Sequence, residues 1–219
     1  MHSFGSLRRF VPAIALVLGV ISLAAPSRAA DDVSETRAVS GFERIRLQGA
    51  FSAEITAGEP GARFVATGDR DVVGRITTAV EDGTLVVGMR PGFDFGRRAP
   101  KLEIALPKLR GFVNEGAGTA KITGLNGGDV EIENSGTASI VVSGRAANEA
   151  ITLNGTGKID AADVEARDVT VDNNGVGTVH VRASGSLTMN VNGVGTIRYS
   201  GNPTHVESRV NGVGSIRPL

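Results

Sequence analysis

The sequence predicts an all-β chain wound into a parallel β-helix, a β-solenoid with a partly antiparallel cap at its N-terminal end. Three observations predict it: a glycine-centred phrase returns at a near-constant period, apolar and polar residues alternate strictly through each copy, and the first part of the chain alternates without sharing the period. The phrase is Asn192-Gly-Val-Gly-Thr-Ile197. Asn211-Gly-Val-Gly-Ser-Ile216 follows it, and Asn174-Gly-Val-Gly-Thr-Val179 and Asn154-Gly-Thr-Gly-Lys-Ile159 precede it. Looser copies are Ser135-Gly-Thr-Ala-Ser-Ile140 and Glu115-Gly-Ala-Gly-Thr-Ala120. The first glycines, Gly116, Gly136, Gly155, Gly175, Gly193 and Gly212, stand 20, 19, 20, 18 and 19 residues apart. A unit that short cannot bury a core alone, so successive coils must stack.

Residues 1–29 have the layout of a secretory signal peptide. Arg8 and Arg9 open it, an apolar run follows from Val11 to Ala25, and Ser27-Arg28-Ala29 forms a small-x-small site with cleavage expected after Ala29. An apolar run that short, interrupted by Pro12 and Gly19, does not suit a membrane span, so no membrane insertion is expected after cleavage. The chain has no cysteine, hence no disulfide and no thiol for a lipid anchor. The leader holds three arginines and no acid, which leaves 20 cationic against 23 acidic side chains. That balance recruits neither nucleic acid nor an anionic membrane surface.

Ala30 to Ser40 is polar and reads as a flexible lead-in. Ile45, Leu47, Gly49, Phe51, Ala53 and Ile55 share one parity, the pattern of a half-buried strand. Ile76 to Val80 and Leu85 to Met89 flank Asp82-Gly83, a hairpin signature, because that pair adopts the positive φ angles of a tight turn. This part, residues 41–110, is expected to cap the stack. Residues 90–100 read as a loop in which Phe93, Phe95, Arg97 and Arg98 form a candidate contact site, or in which the phenylalanines fold back onto the cap. Leu102, Ile104 and Leu106 then alternate up to Pro107.

Residues 111–219 are the coils, with Phe112 opening the array. In Leu187, Met189, Val191, Gly193, Gly195, Ile197 and Tyr199 the apolar parity runs unbroken across the glycine pair. Each coil is therefore a strand, a glycine corner, a second strand and a loose return. If that parity points inward, the glycines sit on the inside of a bend. Strands stacked in parallel about 4.8 Å apart extend six copies over roughly 24 Å, and the crossover preference predicts a right-handed winding. Asn154, Asn174, Asn192 and Asn211 precede Gly155, Gly175, Gly193 and Gly212, so their amides are expected to stack as a structural turn ladder. Pro218 is placed to discourage strand addition at the last coil.

Chemistry is sparse. Gly-x-Gly in six strand-rich copies is neither a dinucleotide fingerprint nor a calcium repeat, because Lys158, Thr178, Thr196 and Ser215 stand where calcium repeats need aspartate. No cofactor and no metal site is predicted. His180 and His205 lie at outward parity without a partner set for catalysis, so no catalytic residue is assigned. Glu131, Glu133, Asp160 and Asp163 could serve a polysaccharide-cleaving β-helix, but a sugar groove wants stacking aromatics, and the chain has one tyrosine and no tryptophan.

The glycine phrase, together with Ile104-Ala-Leu-Pro-Lys-Leu109 and Gly41-Phe-Glu-Arg-Ile45, resembles the bacterial auto-transporter adhesin, head GIN domain family (DUF2807) over roughly residues 41–219. The resemblance implies an exported β-helical protein whose adhesin name comes from shape. Many copies in that family carry serine before the first glycine; here Ser135 keeps it and four copies use asparagine, which suits the same turn. The last copy runs to Leu219, so no translocator barrel is expected to follow it.

The expected function is a non-enzymatic binding or scaffolding module of the bacterial cell envelope, periplasmic or at the cell surface. Its candidate contact surface is Thr178, Thr196, His180 and Arg198, and its partner is an envelope protein or glycan. The alternatives are a polysaccharide-active β-helix enzyme and a periplasmic sensor or accessory protein.

Overall fold

In a computed structural model, which describes residues 32–92 and 98–219, the alternating stretches become seventeen strands and one helical turn. In chain order these are β1 (Asp32–Arg37), β2 (Arg44–Gln48), β3 (Ala50–Ala57), β4 (Arg63–Asp69), α1 (Arg70–Val73), β5 (Ile76–Glu81), β6 (Thr84–Met89) and β7 (Lys101–Leu106). They continue as β8 (Gly111–Asn114), β9 (Ala117–Asn126), β10 (Val130–Asn134), β11 (Thr137–Leu153), β12 (Thr156–Asn173), β13 (Val176–Ala183), β14 (Ser186–Val191), β15 (Val194–Ser200), β16 (His205–Val210) and β17 (Val213–Pro218). All belong to one continuous sheet. It is the predicted β-solenoid, with about five turns and a mixed N-terminal region. The predicted leader, residues 1–29, and the loop residues Phe93, Phe95 and Arg97 lie outside the described residues.

From Gly111 onward every strand pairs in parallel with its counterpart one coil away. Val176, Val194 and Val213 align, as do Gly177, Gly195 and Gly214. Uneven spacing between copies is absorbed at the bends, for the β11–β12 register shifts between Val141 and Ser143 as the chain passes from Asp160 to Asp163. The inward parity is aliphatic: Ile132, Ile151, Val171 and Met189 form one buried column, and Ile140, Ile159, Val179 and Ile197 another.

The corner glycines do form a column, but for a different reason than an inner bend. A methyl group on Gly193 would overlap the carbonyl oxygen of Gly175, and one on Gly212 that of Gly193. The obstruction lies along the stacking axis, in the backbone of the preceding coil. Val194 N–H bonds to Gly175 O at 2.8 Å and Val213 N–H to Gly193 O at 2.9 Å, which fixes the approach.

The same column corrects the start of the array. Residues 45–55 are two strands broken at Gly49, and the expected opening at Phe112 falls one coil late. A methyl on Gly116 would overlap Gly49 O, and β2–Gly49–β3 stacks in parallel on β8–Gly116–β9. Phe51 occupies the place of the second glycine. It fits because the layer beneath is Pro100, just ahead of β7, where Ser52 N–H bonds to Pro100 O at 3.0 Å, and not another glycine corner.

On the other side of that coil lie β6 and β7, also parallel to β2 and β3. The antiparallel strands are β5 against β6, β4 against β7 and β1 against β4. The predicted hairpin is present, with Asp82 at φ 48° and Gly83 at φ 71°. The expected flexible lead-in is instead strand β1 over most of its length. Apart from Val33 its side chains are polar, and four of the six are exposed, so alternation gives no signal. It is held by backbone pairing with β4 and by Arg37, which lies 5.9 Å from the Phe64 ring centroid and donates to Ile76 O at 2.8 Å. Phe51, Phe64 and Phe112 fill this end, whereas Val206 and Val210 of the last coil are 43% and 46% exposed.

Gly193→Ala should lower the unfolding free energy by about 1–3 kcal/mol through forced separation of two coils. Gly61→Ala, where a methyl meets nothing within 4 Å, should stay within about 0.5 kcal/mol of the parent. Chemical denaturation of both variants checks the pair.

Candidate contact surface

The second strand of each coil turns a flat face outward, and the parallel register makes its columns straight. Val176, Val194 and Val213 form one, 51%, 49% and 71% exposed. Thr178, Thr196 and Ser215 form the next, and His180, Arg198 and Arg217 the third. Of the predicted contact residues, the fold thus gathers Thr178, Thr196, His180 and Arg198 on one patch. Arg98 is exposed but belongs elsewhere. It precedes β7, and Lys101 of β7 is separated from Thr178 by the coils of Ser52, Thr119, Ser139 and Lys158, about 24 Å along the axis.

Charge is unevenly balanced along the third column. Asp160 sits between Lys158, 2.6 Å from its Oδ2, and His180, whose Nδ1 is 3.6 Å away. Partial burial works against its ionisation, yet the Lys158 ammonium, the Ala162 N–H and the His180 ring outweigh that and hold the carboxyl below its ordinary value. Beyond His180 the compensation stops. Among the described residues neither Arg198 nor Arg217 has a carboxylate within ion-pair distance. Two guanidinium groups one coil apart, beside the Thr196 and Ser215 hydroxyls, suit a bridging anionic group.

The other polar ladders bind the coils to one another. Asn174 Nδ2 donates to Asn154 Oδ1 at 3.0 Å, Asn192 to Asn174 at 2.9 Å and Asn211 to Asn192 at 3.1 Å. The chain of amides ends on Glu133, whose Oε1 accepts from Asn154 at 3.1 Å and from the Ser135 hydroxyl at 2.6 Å. Glu131 is paired with Arg44 at 2.7 Å. Glu131 and Glu133 lie on the first-strand face and Asp160 on the second-strand face, so these carboxylates do not meet across a common groove.

Three polar features escaped sequence reasoning. Asn114, Asn134 and Asn173 are buried at inward positions and cap corner backbone, as where Asn134 Nδ2 donates to Thr156 O at 3.1 Å. Asp129, Asn148, Asp168 and Ser186 make a second intercoil ladder, with Asn148 donating to Asp129 at 2.7 Å and the Ser186 N–H and hydroxyl each donating to Asp168 at 2.8 Å. The Ser186 backbone N–H, then Arg167 and the Ser186 hydroxyl, pull the Asp168 carboxyl down to about 2. Aligning the copies position by position would have exposed both patterns. The third feature is Glu149, 2% exposed, in an inward column between Val130 and Val169, where neither carboxylate oxygen has a hydrogen-bond partner among the described residues. Burial pushes its carboxyl up to about 8.

Among the described residues no three His, Asp or Glu side chains converge as a metal site, and no helix is long and apolar enough to cross a membrane.

Comparison with known proteins places this architecture. The family profile "Putative auto-transporter adhesin, head GIN domain" (DUF2807) matches residues 41–203. No curated protein matches the sequence significantly. Among solved structures, an adhesin-named protein from Bacteroides fragilis is 24% identical with a TM-score of 0.69, over 86% of this chain and 97% of that one. An adhesin-named protein from Parabacteroides distasonis is 17% identical with a TM-score of 0.44, over 87% and 98% of the two chains. A protein of the same organism named for lipid binding is 17% identical with a TM-score of 0.46, over 87% and 98%. The first of these likenesses concerns the fold.

Glu149 yields a pH prediction with a fixed sign. Because its folded value lies above the ordinary 4.5, its contribution is fully present below about pH 4.5 and is lost as pH rises through about 8. Glu149→Leu should therefore raise stability near neutral pH by about 3 kcal/mol and flatten the stability profile across that window. Denaturation midpoints of parent and variant from acid to alkaline pH check this.

Proposed function

Since the chain belongs to the auto-transporter adhesin, head GIN domain family, we propose that it is an exported, non-enzymatic binding or scaffolding module of the bacterial cell envelope, located in the periplasm or at the cell surface. The observation that carries this reading is the second-strand face. There, valine, hydroxyl and basic columns repeat at one residue per coil, and among the described residues Arg198 and Arg217 stand without carboxylate partners. A surface so periodic suits a partner that offers groups at a matching repeat. The unpaired guanidiniums select acidic groups on it, and a glycan bearing carboxylates or phosphates supplies them. The leader over residues 1–29 supports export. The separate engagement of Glu131, Glu133 and Asp160 supports a role without turnover.

The rigidity of the face matters to this proposal. Parallel pairing on both sides holds β13 and β15 in place, so little ordering cost attaches to the columns when a partner binds.

Arg198→Ser combined with Arg217→Ser should abolish binding to acidic envelope glycans on an array and leave the unfolding midpoint within about 0.5 kcal/mol of the parent. Parent binding should weaken as salt is raised. Binding that survives the double substitution, or turnover of a polysaccharide by the purified chain, would contradict the proposal.

A further inference from the structure

We propose that two copies of this chain associate tail to tail, with β16 of each paired antiparallel to β16 of the other about a two-fold axis at Ser208. Among the described residues β16 is paired on one side only, with β14, and all six of its residues are exposed. Yet Val206 and Val210 continue the inward columns of Leu187 and Val191. A core column and a sheet edge both stop here in the open, the combination that invites another strand.

Backbone parity decides how that strand can lie. The His205 N–H donates to Gly185 O at 3.3 Å and the Asn211 N–H to Val191 O at 2.8 Å. Odd-numbered residues of β16 therefore direct their backbone groups at the preceding coil, and Val206, Ser208 and Val210 direct theirs at the free edge. An antiparallel partner must set even residues opposite even ones. Registers centred on Glu207 or Arg209 satisfy parity but put like charges face to face. The register centred on Ser208 puts Val206 opposite Val210, Ser208 opposite itself, and Glu207 opposite Arg209 on both sides of the axis.

That register is self-complementary at every position. The valines extend each copy's apolar column into the other, which removes their exposed surface from water. Glu207 and Arg209 fall in the non-hydrogen-bonded positions, where cross-strand side chains come closest. Within one copy Glu207 already lies 3.3 Å from His205 Nε2 and 3.7 Å from Arg209 Nη2 on that outward face. Ser208 stands where Val171 and Met189 stand in earlier coils, so at the axis a small hydroxyl meets its own copy and large side chains do not collide. The contact is isologous and closes after two copies. Since β16 is a first strand, the second-strand face that bears Thr196 and Arg198 stays open in both copies.

Sedimentation velocity on the purified chain from micromolar to millimolar concentration tests the assignment. The parent should form a species of twice the chain mass. Glu207→Arg and Arg209→Glu should each return it to a single chain, whose thermal unfolding matches that of the parent at concentrations where the parent is single as well. An equimolar mixture of the two variants should recover the two-chain species, because it sets two arginines of one copy against two glutamates of the other. A parent that stays single at every concentration overturns the proposal. So does association that neither reversal disturbs, or a mixture that remains single.

Discussion

Everything in this fold depends on how closely one corner backbone approaches the next. From Gly49 to Gly193 each corner carbonyl receives an N–H from the coil that follows: Ala117, Thr137, Thr156, Val176, Val194 and Val213 donate in turn at 2.8–2.9 Å. At each corner the Cβ direction of the glycine in the following coil runs straight into that carbonyl oxygen, which leaves no volume for a side chain there. Glycine is thus the residue that lets the column exist. Once the corners are locked, register is locked along both adjoining strands. The straightness of the aliphatic columns inside and of the Thr, Arg and Asn columns outside follows. The candidate contact surface is in this sense a by-product of corner packing.

The two ends of the stack solve their exposure differently. At the N-terminal end the chain doubles back through β4, α1 and β5 before rejoining the stack at β6, and it closes the core with phenylalanine, including the fully buried Phe64. At the other end Val206 and Val210 face open space with no such cover among the described residues. Between them the core is not purely apolar. Asn114 and Asn134 share a buried bond of 2.8 Å, whereas Glu149 lies in the same interior with no partner among the described residues for either carboxylate oxygen, a local cost that the neighbouring coils must offset.

The array from Glu115 to Arg217 was legible in the sequence because its two signals, period and parity, are independent and agree. The asparagine ladder was legible because each member holds the same offset from its glycine, and the hairpin because Asp82-Gly83 is chemically suited to one turn. What stayed hidden has physical reasons. The first coil lacks the second glycine, since Phe51 has no tight corner beneath it, and its neighbours in space are 67 residues away in sequence, as Ser52 and Thr119 are. Strand β1 is held by backbone bonds and one arginine, which leave no trace in an alternation pattern. Glu149 has the parity of Ile151 and was open to detection as an acid at an inward position, but alternation alone does not say that the position is sealed. The candidate face was half legible: parity gave the outward columns, while the lack of a carboxylate beside Arg198 and Arg217 among the described residues needed coordinates.

Amide hydrogen exchange resolved by residue tests the corner column most directly, since it reads the corner N–H bonds themselves. Thr137, Thr156, Val176 and Val194 open their strands directly after a corner and have exposed side chains, where a loosely held chain would exchange quickly. Their amides should be protected like those of the strand interiors, with Val213 at the open end the least protected of the set. Exchange at these four as fast as at Gly61 or Gly92 would contradict this.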